Sequence, residues 1–227
     1  MKNNLSHIAL ILDGNKRWAK SQKLNNYEGY SKGFENIRNI VKSSLSINLS
    51  SLTIFALSTE NFNRTSVKII YELIYKNFNK ILDDLVKDNG VKIKIFGSKD
   101  KLPKKIIDIF EKIEKLSQNN TNLNLNIAFN YGFKDEFKKI LNKVKDENFK
   151  INLNDQKEID KLFYIEPKSD PDLLIRTGGY QRLSNFIMYN LTYTELFFTK
   201  TLWPDFNDKE FKSIVKDYSK IKRKYGL

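Results

Sequence analysis

Apolar side chains gather into six short runs along the chain, at 7–12, 52–57, 91–96, 123–129, 173–176 and 195–199, and each run reads as a β-strand. Between them, apolar residues recur at three- and four-residue spacing: Phe34, Ile37, Val41 and Leu45; then Ile70, Leu73, Ile74, Phe78, Ile81, Leu82 and Leu85; then Ile106, Ile109, Phe110 and Ile113; then Phe137, Ile140, Leu141 and Val144. That spacing puts each set on one face of a helix. The second set predicts a long helix at about 69–86, and a last helix is expected at about 208–224, after Trp203-Pro204-Asp205. Only four Pro and nine Gly punctuate the chain, with no repeat and no linker. The pattern predicts one α/β domain over 1–227, with a central, mostly parallel six-stranded sheet flanked by helices on both faces.

Composition narrows the chemistry. Apolar residues make up 40% of the 227 and aromatics 13%, enough to build a core. There is no Cys, and His7 is the only His. Thiolate metal sites, cysteine nucleophiles and His-centred acid–base pairs are therefore excluded or rest on one residue. Any metal must be held mainly by oxygen, which points to Mg²⁺ or Ca²⁺. The formal charge of +13 comes mostly from Lys spread over helical faces and mixed with acids, as on a solvated surface. No face interleaves basic and aromatic residues, so nucleic acid is not an expected partner. Residues 1–6 are polar and no apolar run approaches the ~18 residues that span a bilayer. The sequence reads as cytoplasmic, with peripheral contact at a membrane surface as a further expectation.

In an open parallel sheet, ligands bind beyond the carboxyl ends of the strands. Neither GxGxxG nor a P-loop pattern occurs there. Instead three strand-end loops are densely polar: Asp13-Gly14-Asn15-Lys16-Arg17-Trp18, Ser58-Thr59-Glu60-Asn61-Phe62-Asn63-Arg64, and the stretch from Arg176 through Arg182 to Ser184. Arg supplies only six of the forty basic residues, yet Arg17, Arg64, Arg176 and Arg182 all fall in these loops. A planar guanidinium fork grips phosphate oxygens bidentately, so the placement points to a phosphate site. Asp13, followed by Gly14-Asn15 at a helix start, completes a candidate magnesium diphosphate site. Glu195 is a second carboxylate candidate, equally readable as a plain strand-edge residue. The apolar helix face near Phe62, Tyr71, Phe78, Phe129 and Phe197 fits either ordinary core or a greasy tail lying between helix and sheet.

The stretch HIALILDGNKRWAK at 7–20 resembles the signature of the cis-prenyltransferases, the undecaprenyl diphosphate synthase family. Matching blocks follow in order: LTIFALSTENFNR at 52–64, LNIAFNYG at 125–132, DLLIRTGG at 172–179, RLSNF at 182–186, and ELFF at 195–198 leading to WPDF at 203–206. The resemblance implies an undecaprenyl diphosphate synthase-like fold, a homodimer and a hydrophobic tunnel. It implies Mg²⁺-dependent addition of isopentenyl diphosphate in cis to an allylic diphosphate of farnesyl or geranyl type. By that likeness Asp13 binds Mg²⁺ and assists departure of the allylic diphosphate, surrounded by Gly14, Asn15, Lys16, Arg17, Trp18, Asn26 and Tyr30. Arg176, Arg182, Leu183 and Ser184 match the residues around the isopentenyl diphosphate. Ser58, Thr59, Glu60, Asn61, Phe62 and Arg64 match a loop closing over both substrates, with Asn61 at the position assigned to proton removal. Glu195 helps with metal, from the partner subunit.

The chain also departs from the family pattern. Lys16 stands where a Gly is usual, Asn26 for an Arg, Tyr30 for a His, Lys68 for a Glu, Phe62 for a Trp, Thr65 for a Pro and Lys224 for an Arg, with Arg223 beside it. These changes cluster around diphosphate handling. They predict a working enzyme with an altered grip on the allylic substrate. The rival expectation is a catalytically weak accessory subunit.

Overall fold

The computed structural model describes residues 5–62, 65–165 and 170–222. Six strands form one sheet: β1 (His7–Ile11), β2 (Ser51–Ser58), β3 (Val91–Phe96), β4 (Leu123–Tyr131), β5 (Leu173–Arg176) and β6 (Glu195–Phe198). Their order is β3-β4-β2-β1-β5-β6, and every neighbouring pair is parallel. β1 and β5 are buried along their whole length, which is why such strands read as apolar runs rather than alternating ones.

Seven α-helices occur among the described residues: α1 (Asn15–Ser21), α2 (Asn26–Ser46), α3 (Ser66–Ile81), α4 (Lys104–Ser117), α5 (Phe133–Val144), α6 (Gln156–Asp160) and α7 (Asp208–Tyr218). α2 starts with a capping box, in which the Asn25 side chain accepts from the Glu28 N–H and the Glu28 carboxylate accepts from the Asn25 N–H. Asn207 caps α7 in the same sense by accepting from the Glu210 N–H. α3 runs on through a wide π-helical stretch, Leu82–Asp88, so the long helix expected at about 69–86 is two geometries in series. The short polar helix α6 had no apolar periodicity to announce it, and α7 ends at Tyr218 rather than near 224.

The two sheet faces differ. On one, side chains from α2, from the end of α3, from α4 and from α7 close a continuous core over Ile8, Leu10, Leu52, Ile54, Leu125 and Ile175. On the other, Ala9, Ile11, Phe55, Ala128 and Leu174 meet mostly irregular chain around Ile165, Phe186 and Ile187, with Phe55 and Phe186 stacked at 4.6 Å. There, buried Glu136 of α5 accepts from the Tyr131 hydroxyl at 2.6 Å and from the Tyr164 N–H at 2.7 Å. Burial pushes the Glu136 carboxyl above its ordinary value, against the lowering effect of those two hydrogen bonds.

His7 lies at the entry end of β1, buried, with Nε2 2.7 Å from Thr53 Oγ1. The one histidine therefore lies at the opposite end of the sheet from the strand-end loops.

Candidate active site

The register pairs Ile11 with Phe55 on one side and with Arg176 on the other, so the loops after β1, β2 and β5 emerge together. β2 shifts register against β4 between Phe55 and Ser58, and such a bulge re-aims the chain beside a site. The loops enclose a polar cleft of about 620 Å³. Asp13, Gly14, Asn15, Lys16, Arg17, Tyr30, Ser58, Glu60, Asn61, Arg176, Arg182 and Ser184 all line it.

Asp13 is the electrostatic centre. One carboxylate oxygen accepts from Arg17 Nη2 at 3.0 Å and the other from Arg176 Nη2 at 2.9 Å. Its backbone is pinned as well, since the Asp13 N–H donates to Thr177 Oγ1 at 3.0 Å. Arg176 is 3% exposed. It also donates through Nη1 to Ser184 Oγ at 2.7 Å and to the Arg182 carbonyl, while its Nε–H has no partner. Arg17 donates to the Gly178 carbonyl at 2.6 Å. Gly178 allows this approach, because its φ is +85° and an added Cβ would lie 2.5 Å from the Arg17 guanidinium.

Ser184 and Asn185 both adopt left-handed backbone, at φ 51° and 61°. That turn aims Ser184 at Arg176 and lets the Asn185 amide donate to Glu60 Oε1 at 2.8 Å. Asn185 also accepts from the Phe133 and Lys134 N–H groups, tying the loop after β2 and the loop after β5 to the start of α5. Asn185, Tyr180 and Ser66 line the cleft without having been singled out from the sequence. The signal for Asn185 was its place next to Ser184, and for Tyr180 the preceding pair of glycines.

Other expected residues stand elsewhere. The Trp18 indole donates to Asp205 at 2.7 Å, outside the cleft wall, and Thr59 donates to Asp135 at 2.7 Å. Phe62 and Leu183 pack into apolar clusters on opposite faces of the sheet, and Asn26 is exposed in the first turn of α2. Of the departures, Lys16 and Tyr30 face the cleft, whereas Lys68 and Thr65 are exposed outside its lining. Arg64, Arg223 and Lys224 lie outside the described residues.

Glu195 opens β6 level with Leu173, while Arg176 is level with Ile11 at the other end of β5. Three strand residues at ~3.3 Å each separate those levels, so one chain does not bring Glu195 to Asp13. Among the described residues no group of three or more metal-ligating His, Cys, Asp or Glu side chains occurs. The oxygens that do face the cleft fit a hard cation bound in company with phosphate. Among them are the Asp13 carboxylate and, two residues on, the Asn15 side-chain amide oxygen Oδ1, which is buried and has no partner.

A second cavity, of about 130 Å³, opens from the same place and runs between the sheet and α2, α3 and α4. Leu12, Asn15, Tyr30, Ala56 and Ile70 line both spaces. Deeper in, Ile37, Leu73, Ile74, Ile93, Phe110 and Leu125 make it apolar. Of the five aromatics that suited a greasy tail, only Phe129 lines it. At its side Arg38 reaches from α2 to Asp84 in the wide turn, joined there by Lys42 at 3.1 Å. Burial pushes the Asp84 carboxyl up, but hydrogen bonds from Lys42 and Arg38 outweigh it and hold the group below its ordinary value.

Known proteins resemble this chain over nearly its whole length. The family model described as "Putative undecaprenyl diphosphate synthase" matches residues 11–226. An isoprenyl transferase of Aquifex aeolicus is 37% identical over 97% of this chain and 95% of its own length. The ditrans,polycis-undecaprenyl-diphosphate synthase ((2E,6E)-farnesyl-diphosphate specific) of Buchnera aphidicola is 36% identical over 99% of this chain and 92% of its own. The crystal structure of lavandulyl diphosphate synthase from Lavandula x intermedia, in complex with dimethylallyl diphosphate, superposes with a TM-score of 0.88 at 30% identity, covering 98% of both chains. The chain belongs to the undecaprenyl diphosphate synthase family of prenyl transferases.

Proposed function

We propose that this member of the family condenses isopentenyl diphosphate in cis onto an allylic diphosphate of farnesyl or geranyl type, giving a longer polyprenyl diphosphate. One observation carries the reading: a cleft in which three arginines gather near the Asp13 carboxylate opens directly into an apolar cavity. A charged head group and a long hydrocarbon tail are thereby accommodated side by side.

The reaction breaks the allylic C–O bond, with the electron pair leaving on diphosphate. The isopentenyl alkene then attacks the cation to form a C–C bond, and a proton is lost. No side-chain nucleophile is needed, which suits a chain without Cys and with its one His remote. Arg17, Lys16 and Asn15 surround the allylic diphosphate. Arg176, Arg182 and Ser184 hold the isopentenyl diphosphate, with donors already in place before charge develops. Asp13 fixes both arginine clusters relative to each other. The apolar wall at Ala56 and Ile70 excludes water from the cation. Asn61 orients the reacting alkene and the released diphosphate accepts the proton, because a neutral amide is a weak base.

Asp13 and Asn15 would hold Mg²⁺ together with diphosphate oxygens, and the ion when bound supplies Lewis-acid neutralisation of the leaving group. Glu195, remote from Asp13 within one chain, would join from the second copy of a homodimer. The exposed Leu196 on the edge strand β6, and Tyr193 in the turn before it, support such an assembly. Among the described residues no helix is long and apolar enough to cross a membrane, and the proposed contact with lipid is peripheral.

The test is incorporation of labelled isopentenyl diphosphate into butanol-extractable lipid by purified protein, with farnesyl or geranyl diphosphate as starter. It is run with and without Mg²⁺ and with Asp13→Ala as control. Mg²⁺-dependent lipid that disappears in the variant is expected. A folded protein inert with every starter would overturn the reading in favour of an accessory subunit.

A further inference from the structure

Three guanidinium groups surround one aromatic ring in the cleft. The centroid of the Tyr180 ring is 4.2 Å from the Arg182 guanidinium carbon, 4.8 Å from that of Arg17 and 5.8 Å from that of Arg176. All are within the ~6 Å over which a ring face attracts a cation. Charge accounting makes this arrangement informative. Both Asp13 oxygens are taken by Arg17 and Arg176, and among the described residues Arg182 has no carboxylate partner. The guanidinium of Arg182 rests on the ring instead.

The backbone is built for this contact. Gly178 and Gly179, at φ +85° and +81°, turn the chain so that residue 180 sits over Arg17, whose Nη1 donates to the Gly178 carbonyl. A carboxylate in the same place would bind the guanidinium N–H groups and compete with an incoming phosphate. A ring attracts the cations through its face and leaves their N–H edges unspent.

We infer that Tyr180 is a positioning residue of the cleft, a neutral platform that holds Arg182 and Arg17 ready for a diphosphate group. The inference rests on the diphosphate reading of the cleft. It assigns the effect to the aromatic ring, since the Tyr180 hydroxyl makes no hydrogen bond within the described structure.

The experiment measures binding of inorganic diphosphate by calorimetry to the wild type, Tyr180→Phe and Tyr180→Leu, alongside KM and kcat for isopentenyl diphosphate. Leucine keeps apolar bulk without the ring's quadrupole. Its variant should bind diphosphate roughly threefold to thirtyfold more weakly, with KM rising in proportion and kcat at saturation within about twofold. The phenylalanine variant should match the wild type within about twofold. Tyr180 is 43% exposed, so all three proteins should melt alike. If the wild type binds diphosphate and Tyr180→Leu binds it equally well, the inference is wrong. It is also wrong if Tyr180→Phe is as weak as Tyr180→Leu, because the hydroxyl would then be the active group. A folded wild type that binds no diphosphate overturns the reading of the cleft itself, a different result from either.

Discussion

The polar cleft and the apolar cavity share a wall at Tyr30 and Ala56, yet they are built on opposite principles. The cleft is assembled from three loops whose charged groups hold one another: Asp13 to two arginines, Arg176 to Ser184, Asn185 to Glu60. Its geometry exists before any ligand arrives, which is the condition for electrostatic assistance. The cavity is instead what remains when helices of fixed length and a twisted sheet meet imperfectly, and its lining is mostly apolar, with the Arg38–Asp84 pair and the Trp203 indole's bond to the Gly33 carbonyl at its margin. One space selects by charge and direction, the other by volume alone.

Variants in one space, or in the wall between the two, sharpen this contrast. Arg176→Ala should have the largest effect. It removes a buried fork and leaves Asp13 half-paired, a loss of about 3–5 kcal/mol, so kcat/KM for isopentenyl diphosphate should fall by roughly 10² to 10⁴. Binding of an apolar fluorescent probe to the cavity should not change. Ala56→Leu narrows the shared wall and should lower turnover with a farnesyl-type starter by about tenfold, a cost of overpacking near 1.4 kcal/mol. Calorimetric affinity for inorganic diphosphate should stay the same, and a matching loss there would show that the spaces are not separable. Arg38→Met opens the cavity's side while keeping side-chain length, and the product distribution on thin-layer chromatography should shift toward longer chains. The rate should remain within about threefold, because Asp84 keeps Lys42 as a partner and Arg38 stands outside the polar cleft.

The smallest effect is expected at Glu136, on the face away from the cavity. A carboxyl raised by burial contributes stability below the ordinary carboxylate value, and that contribution is lost as pH rises through the raised one. Denaturant unfolding from pH ~4 upward should therefore show wild type losing stability relative to Glu136→Gln, with activity of the two equal at any one pH. A wild type that instead gains on the variant as pH rises would contradict the burial argument.

The same contrast explains what the sequence made legible. Strands β3 and β5 were readable to the residue for different reasons: β5 is buried throughout and demands an apolar run, whereas β3 lies at the sheet edge and alternates Val91, Ile93 and Ile95 with exposed Lys92 and Lys94. The cleft was readable because arginine is scarce in this lysine-rich chain, so its placement carries information. The cavity was not, since a void is lined by the same Ile, Leu and Phe that would fill a solid core. Phe78 and Phe197, candidates for a tail site, pack into that core instead. Tyr180 escaped notice for a different reason: Arg176 and Arg182 are its neighbours in the same loop, but Arg17 comes from the far end of the chain and meets the ring only in the fold.

The wide stretch Leu82–Asp88 at the end of α3 has a hereditary consequence. A π-helical turn absorbs an extra residue without rotating the helix on either side of it. A lineage that deletes one residue there can return to ordinary α-helix with Leu73 and Ile74 still facing the cavity. The same deletion in the regular part of α3 turns everything beyond it by about 100°. Length variation among descendants of this chain should therefore collect in these seven residues, where the gene can be shortened by a codon without unmaking the protein.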